Sequence, residues 1–136
     1  MELVQLAPWL AGGSTVLFLL YAGTGIGVAG RRAWLLPASL SAAFLVWSLM
    51  SVAREGPFGF WAEHTRSLWG NQIWFDLLFA IAIAWSLIVP NARALGMWVW
   101  VWMIFVIATG CIGLLAMMAR YLYLNERQSQ PHAHSS

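Results

Sequence analysis

The sequence predicts an all-α polytopic membrane protein, an antiparallel four-helix transmembrane bundle with an interfacial helix between the second and third spans. Hydrophobic residues make up 61% of the 136-residue chain and charged residues only 9%, and mean hydropathy is +0.72. Four apolar stretches, 6–27, 34–52, 74–89 and 97–118, contain a single charged residue, Asp76. About 20 apolar residues in a helix cross the roughly 30 Å hydrocarbon core, where the helix closes its own backbone hydrogen bonds.

Prolines mark the beginnings of the first two spans. Pro8 fits the first turn of a helix, where its missing N–H breaks no hydrogen bond, and the first span then runs to the pair Arg31-Arg32. Pro37 lies in the opening turn of the second span, which begins near Trp34. The segment 54–57, Arg-Glu-Gly-Pro, ends this span because glycine and proline interrupt helix propagation.

The loop after the second span carries a helical pattern of its own. The residues that recur at helical spacing are Phe58, Trp61, Thr65, Leu68 and Trp69, while Glu63, Arg66 and Ser67 fall elsewhere. This pattern predicts a short amphipathic helix that lies in the membrane interface.

The third apolar stretch, 74–89, is too short for a complete span, since it reaches about 24 Å at 1.5 Å per residue. Either the helix extends back through 68–72 and draws Asp76 into the bilayer, or the membrane thins and Asp76 stays at headgroup depth. Pro90 and the short link 91–96 then turn the chain into the last span. A link this short makes the third and fourth spans antiparallel neighbours.

The ten tryptophans fall into two groups. Those near predicted span ends, typical of an aromatic belt, are Trp9, Trp34, Trp61, Trp69, Trp74, Trp98 and Trp100. Trp47, Trp85 and Trp102 lie deeper, where they either pack between helices or line a lipid groove. One transmembrane domain is predicted over 1–124, followed by a disordered polar tail over 125–136.

Asp76 is the most informative polar residue, because a charged group at the bilayer centre costs at least about 2.5 to 3.5 kcal/mol and normally faces the bundle interior. It opens a helical stripe with Ala80, Ala84 and Ile88. Antiparallel pairing of the last two spans would bring Arg120 to the same membrane face. The sequence therefore predicts an ion pair between Asp76 and Arg120.

Two interpretations of this face stay open. In the structural one, Asp76 lies at a helix N-terminus, where the helix dipole favours it, and pairs with an arginine. In the functional one, Glu63, His64 and Asp76 are acid–base candidates at the mouth of a pocket for a lipid or isoprenoid with a polar head. The predicted binding residues are Trp47, Glu55, Asp76, Trp85 and Arg120.

Several partners are excluded by composition. The seven basic residues are scattered arginines, which gives no basic run for nucleic acid. Cys111 is the single cysteine, and neither a metal site nor a cofactor is predicted.

The orientation of the protein in the membrane is not decided by counting arginines. The two short links, after the first and third spans, carry three arginines, and the opposite side carries four. The acidic residues on the opposite side favour cytoplasmic short links and termini outside.

The C-terminal half carries a series of short motifs: Phe75-Asp76, then Asn91-Ala92-Arg93-Ala94-Leu95-Gly96-Met97-Trp98, then Gly110 and Arg120-Tyr121-Leu122. This half resembles a family of small bacterial four-span membrane proteins catalogued only as a domain of unknown function. In that family an acidic residue likewise opens the third span, and a basic link containing Leu-Gly-Met leads into the fourth. The resemblance implies family membership and carries no established activity.

These observations favour a non-enzymatic, multi-pass protein of the bacterial inner membrane: an accessory subunit, a homo-oligomer or a lipid-binding module. Its expected partners are membrane lipid and a membrane protein or a second copy of the chain. The alternative is a membrane-embedded acid–base enzyme, an isomerase or cyclase, acting on an isoprenoid or sterol-like lipid with Asp76 or Glu63 as proton donor. A third class is a small proton-coupled transporter, which the single intramembrane charge disfavours.

Overall fold

The computed structural model describes residues 3–23 and 32–129, and these fold into helices and short connections. The helices are α1 (Leu3–Gly23), α2 (Leu35–Glu55), α3 (Gly59–Thr65), α4 (Leu68–Ala94), α5 (Val99–Thr109) and α6 (Cys111–Ser129). The all-α class is therefore confirmed. The chain divides into two compact units, residues 1–33 and 34–136, and the single transmembrane domain over 1–124 stays a prediction.

The first unit contains α1. This helix begins at Leu3, so Pro8 lies inside it and not in its first turn as predicted. Ser14 and Thr15 both donate hydroxyl hydrogen bonds of 2.9 Å to the carbonyl of Ala11, which satisfies their polar groups within the helix. The predicted end of the first span, at residues 24–31, lies outside the described residues.

The second span is confirmed as a helix over almost its predicted length. α2 has Pro37 buried in its first turn and ends at Gly56, whose φ of 82° is disfavoured for any other residue type. The Gly56 N–H donates to the carbonyl of Val52 at 2.9 Å and closes the last turn. The short helix predicted in the following loop is also present, as α3.

The third apolar stretch, 74–89, lies in a helix that extends backwards through 68–72, as the first of the two predicted alternatives requires. α4 begins at Leu68, and the Ser67 side chain caps it by accepting a 3.1 Å hydrogen bond from the Gly70 N–H. With 27 residues the helix is about 40 Å long, more than the hydrocarbon core requires.

The prediction that Pro90 turns the chain is wrong, because α4 continues to Ala94. The helix ends instead at Gly96, with φ 74°, in a Schellman motif. Its two characteristic bonds run from Gly96 N–H to Arg93 O at 2.9 Å and from Met97 N–H to Ala92 O at 3.0 Å. Ala92 and Met97 are buried together with Met117, and this packing offsets the roughly 3 kcal/mol cost of proline in a helix.

The prediction of one continuous fourth span over 97–118 is also wrong, because the helix breaks at Gly110. This glycine has φ 61° and ψ −126°, a conformation that side-chain-bearing residues rarely adopt. A Cβ added to Gly113 would lie 2.9 Å from the carbonyl oxygen of Phe105. These two residues would be about 12 Å apart along a straight helix, so α6 turns back alongside α5.

α6 is the central helix of the second unit and contacts α2, α4 and α5. It runs antiparallel to α2, since Ser41 Oγ donates to Ile112 O at 2.9 Å while the rings of Trp34 and Tyr123 meet edge to face at 5.6 Å. The buried cluster of Ala92, Met97 and Met117 joins α6 to the end of α4. Trp85 and Trp102 pack against this cluster, which is the packing alternative predicted for deep tryptophans.

The second unit has two ends. The start of α2, the α4–α5 link over 95–98 and the C-terminal end of α6 lie together and form the link end. The 56–67 segment forms the loop end. Gly110 lies next to Ile81, about halfway along α4, where a Cβ added to the glycine would be 3.8 Å from Ile81 Cδ1. The α5–α6 hairpin therefore starts at the link end and turns back halfway.

The C-terminal part of the chain differs from two expectations. Residues 125–129, predicted to be disordered, continue α6 as helix to Ser129, and residues 130–136 lie outside the described residues. The fold-back also brings the end of α6 to the link end, whereas the sequence predicts the C-terminus on the side opposite the short links.

Replacement of Gly110 by alanine is expected to lower the free energy of unfolding by about 1 to 3 kcal/mol, because it places a Cβ on a strained, positive-φ backbone. Unfolding of the detergent-solubilised chain by heat or by SDS titration measures the change. Gly12→Ala is the matched control, since no atom lies within 4 Å of its added Cβ and alanine favours the helix interior. Wild-type stability of Gly110→Ala would contradict the helix reversal.

Candidate functional site

At the loop end, an aromatic cluster of Phe60, His64 and Trp74 holds α3 against α4. The His64 ring lies 4.8 Å from the Trp74 ring, and the Phe60 ring lies 6.0 Å from Trp74. His64 Nδ1 lies 3.3 Å from the carbonyl oxygen of Gly70. Because a carbonyl only accepts, Nδ1 must carry a hydrogen and act as the donor in this contact.

Gly70 permits this close packing. A Cβ at this position would lie 2.5 Å from the carbonyl oxygen of Glu63 and 3.1 Å from that of His64. Sequence reasoning missed this role, since the amphipathic pattern of the loop shows which residues are apolar but not where two backbones meet.

Glu63, the second acid–base candidate, is engaged in a surface ion pair. Arg66 Nη1 lies 3.5 Å from Glu63 Oε1, one helical turn away, and both side chains are largely exposed. An exposed pair of this kind contributes at most about 1 kcal/mol. Glu63 is therefore placed in solvent and not in a pocket.

Asp76 does not face the packed interior of the second unit. Its side chain is exposed, and Oδ1 accepts a 3.3 Å hydrogen bond from Gln72 Nε2 on the same helix. Trp74 stands two positions earlier, about 200° around the helix, so the carboxylate points away from the aromatic cluster. Trp85, which packs inward, also lies about 180° from Asp76. Of the predicted stripe, Asp76 and Ala80 are thus exposed, whereas Ile88 is partly buried against the cluster of Ala92, Met97 and Met117.

The predicted ion pair between Asp76 and Arg120 is not formed. It required a continuous fourth span that would carry Arg120 to the loop end, but the reversal at Gly110 returns this residue to the link end. There the guanidinium carbon of Arg120 lies 5.7 Å from the centre of the Tyr123 ring, and that of Arg127 lies 4.8 Å from the same ring. Both distances suit cation–π contacts.

The remaining predicted binding residues are spread over the second unit. Trp47 is 37% exposed near the middle of α2, Glu55 is exposed at the end of this helix, and Trp85 is part of the link-end packing. The structure does not bring these residues together with Asp76 and Arg120. Within residues 3–23 and 32–129 it also forms no group of three or more His, Cys, Asp or Glu side chains that could hold a metal.

A cleft at the link end was not predicted. It has a volume of about 320 Å³ and is lined by Arg93, Met97, Trp98, Val99 and Trp100. The two indoles that line it are 81% and 69% exposed, so they present their rings outward beside an arginine. The sequence placed these tryptophans at a span end, but only the continuation of α4 beyond Pro90 brings Arg93 next to them.

The two ends of the second unit differ in charge. Over residues 34–129, the link end carries three arginines and one glutamate, a formal charge of +2: Arg93, Arg120, Arg127 and Glu126. The loop end carries two arginines and three carboxylates, a formal charge of −1: Arg54, Arg66, Glu55, Glu63 and Asp76. The hairpin produces this asymmetry, because it moves the two arginines of α6 to the link end.

Comparison of the chain with protein-family models, with curated proteins and with solved structures finds no match. The resemblance of the C-terminal half to a bacterial four-span family therefore stays a prediction.

Replacement of Gly70 by alanine is expected to separate α3 from α4, because the added Cβ overlaps the Glu63 carbonyl. Trypsin should then cut after Arg66 about fivefold faster or more, since a loss of about 1 kcal/mol changes a local opening equilibrium by this factor. Mass spectrometry of the fragments gives the rate. Gly12→Ala serves as control, and equal cleavage of Gly70→Ala and wild type would show that the α3–α4 contact is absent.

Proposed function

We propose that this chain is a small, non-enzymatic integral membrane protein that binds lipid along the helix faces that its own hairpin leaves uncovered. The observation that carries the proposal is the exposure of α2 and α4. Both helices are long and apolar enough to cross a membrane, yet only 11% and 6% of their most apolar segments are buried. A core helix of a water-soluble protein would be mostly buried, so these helices are suited to hydrocarbon.

Exposed apolar side chains occur on both helices. Those on the loop halves include Phe44, Leu45, Leu49, Val52, Ile73, Phe75, Leu78 and Phe79. Exposed apolar surface costs about 25 cal/mol per Å² in water. An extended exposed apolar patch therefore marks a contact with a membrane or with another protein. Acyl chains are the simplest occupants, because they match these apolar side chains.

The membrane arrangement that follows has α2 and α4 as crossing helices. α2, with 21 residues, reaches about 32 Å. The α5–α6 hairpin enters from the link end and turns back halfway, in place of a fourth crossing. We propose α1, with 21 residues, as a further crossing of this multi-pass protein.

A turn at mid-membrane depth must leave no backbone group unsatisfied. Gly110 itself meets this condition, since its N–H donates to Val106 O at 2.7 Å and its carbonyl accepts from Leu114 N–H at 3.2 Å. The Thr109 hydroxyl donates to Phe105 O at 2.8 Å.

The charge asymmetry orients the protein. Cytoplasmic segments near membrane helices carry an excess of arginine and lysine, and the link end has this excess. In the chain, Arg31 and Arg32 also stand directly before α2. We therefore place the link end and the C-terminal end of α6 in the cytoplasm.

The enzyme alternative has no support from the geometry. A proton donor, whether Asp76 or Glu63, must lie within reach of a bound substrate. Asp76 faces outward from α4, while Glu63 lies in solvent on α3. The transporter alternative would need a polar path through the helices, and Asp76 and Gln72 do not continue into one.

Lipid retention tests the proposed function. The expressed chain is expected to stay in the membrane pellet after alkaline carbonate extraction, and native mass spectrometry of the gently extracted protein should show bound phospholipid. Release into the supernatant, or recovery as a bare chain free of lipid, would contradict the proposal.

Site-directed labelling tests the hairpin. In a Cys111→Ser background, Ser67→Cys should react with a membrane-impermeant maleimide in intact bacterial cells, and Ser129→Cys only after permeabilisation. The reason is that the hairpin returns α6 to the link end. A fourth crossing would place both cysteines on the same side, so labelling of both in intact cells would exclude the hairpin.

A further inference from the structure

We propose that the link-end cleft of Arg93, Trp98 and Trp100 binds the headgroup of an anionic phospholipid. This inference rests on the proposed function, because it requires that the link end lie at a membrane surface. It adds a defined site and a lipid class to the general apolar contact along α2 and α4.

The position of Arg93 suits a lipid phosphate. It lies in the last turn of α4, next to the buried Ala92, and the Schellman motif anchors the backbone on both sides of it. Its side chain is exposed and lines the cleft. A guanidinium presents several N–H donors in a fixed fork, which matches the oxygens of a phosphate.

The lining of the cleft favours a lipid over a soluble anion. Besides the arginine, the lining includes Met97 and Val99, which are buried and apolar, and the exposed indoles of Trp98 and Trp100. Exposed tryptophans at a helix end are typical of the headgroup region, where one part of the ring is wet and the other contacts acyl chains. A polar head and an apolar stem fit this arrangement together.

The charge of the link end selects anionic over zwitterionic lipid. Arg120 and Arg127 are placed at the same end and are directed onto Tyr123, so they add positive potential without lining the cleft. The described residues of this end include one acidic side chain, Glu126. Basic residues at a membrane surface attract anionic lipid, each by about fivefold.

The experiment measures lipid selectivity. The full chain is reconstituted in nanodiscs containing phosphatidylglycerol and phosphatidylcholine, extracted gently, and the retained lipids are counted by native mass spectrometry. Wild type should retain phosphatidylglycerol in preference. Arg93→Gln should lower this preference about fivefold or more, whereas Trp98→Leu and Arg93→Lys, which keeps the charge but lacks the guanidinium fork, should each lower it less.

Two charge-matched variants serve as controls. Arg127→Gln removes a positive charge from the same end and should lower the preference less than Arg93→Gln, while Arg54→Gln at the loop end should leave it unchanged. Unchanged helical content by circular dichroism shows that the variants fold. Equal loss in Arg93→Gln and Arg127→Gln would overturn the site in favour of a diffuse surface potential.

Other outcomes separate the two proposals. Equal retention of both lipids by wild type overturns the headgroup site and leaves the lipid-binding function standing, whereas no retained lipid of either class overturns both. Displacement of phosphatidylglycerol by millimolar glycerol phosphate would assign the cleft to a soluble phosphate and overturn the lipid assignment.

Discussion

The reversal of the chain at Gly110 is the constraint on which the rest of the second unit depends. With φ 61° and ψ −126°, this residue leaves the helical conformation for one position and sends α6 back along α5. Gly113 makes the reversal possible at close range, because a side chain there would collide with the Phe105 carbonyl. Every other contact of α6 follows: Ser41 on Ile112, Trp34 on Tyr123 and Met117 on the end of α4. A straight helix would form none of these contacts.

The same reversal distributes surface and charge. The α5–α6 hairpin turns back halfway along α4. Neither α5 nor α6 therefore covers the halves of α2 and α4 that lie nearer the loop end, and the apolar side chains there stay exposed. Because α6 returns, its arginines join Arg93 and give the link end its positive charge. A lipid with an anionic head and apolar chains complements both features, while the cleft that would hold the headgroup depends on the continuation of α4 to Ala94. The acidic residues, in contrast, are left apart from one another and from Arg120.

The elements that the sequence predicted well are those specified by local chemistry. α2 ends at Gly56 and α3 forms over Gly59–Thr65, since a positive-φ glycine and an amphipathic repeat act within one or two turns. Pro90 shows the limit of this reasoning: a proline normally ends a helix, but burial of Ala92 beside Met97 and Met117 keeps α4 helical to Ala94. Asp76 shows the same limit for a site, since its direction was inferred from a stripe whose partner helix lies elsewhere.

The sequence by itself determined the all-α class, the apolar character of the long helices and the positions of the aromatic and charged residues along them, because hydrophobic periodicity and composition act locally. Tertiary structure alone decided that Gly110 would reverse the chain, that Arg93 would share a cleft with two tryptophans and that Asp76 would face outward. A glycine in an apolar stretch is compatible with a straight helix or a turn. The choice depends on whether the following residues bury more surface by packing back, as Ile112 and Met117 do, and that energy arises between segments distant in sequence.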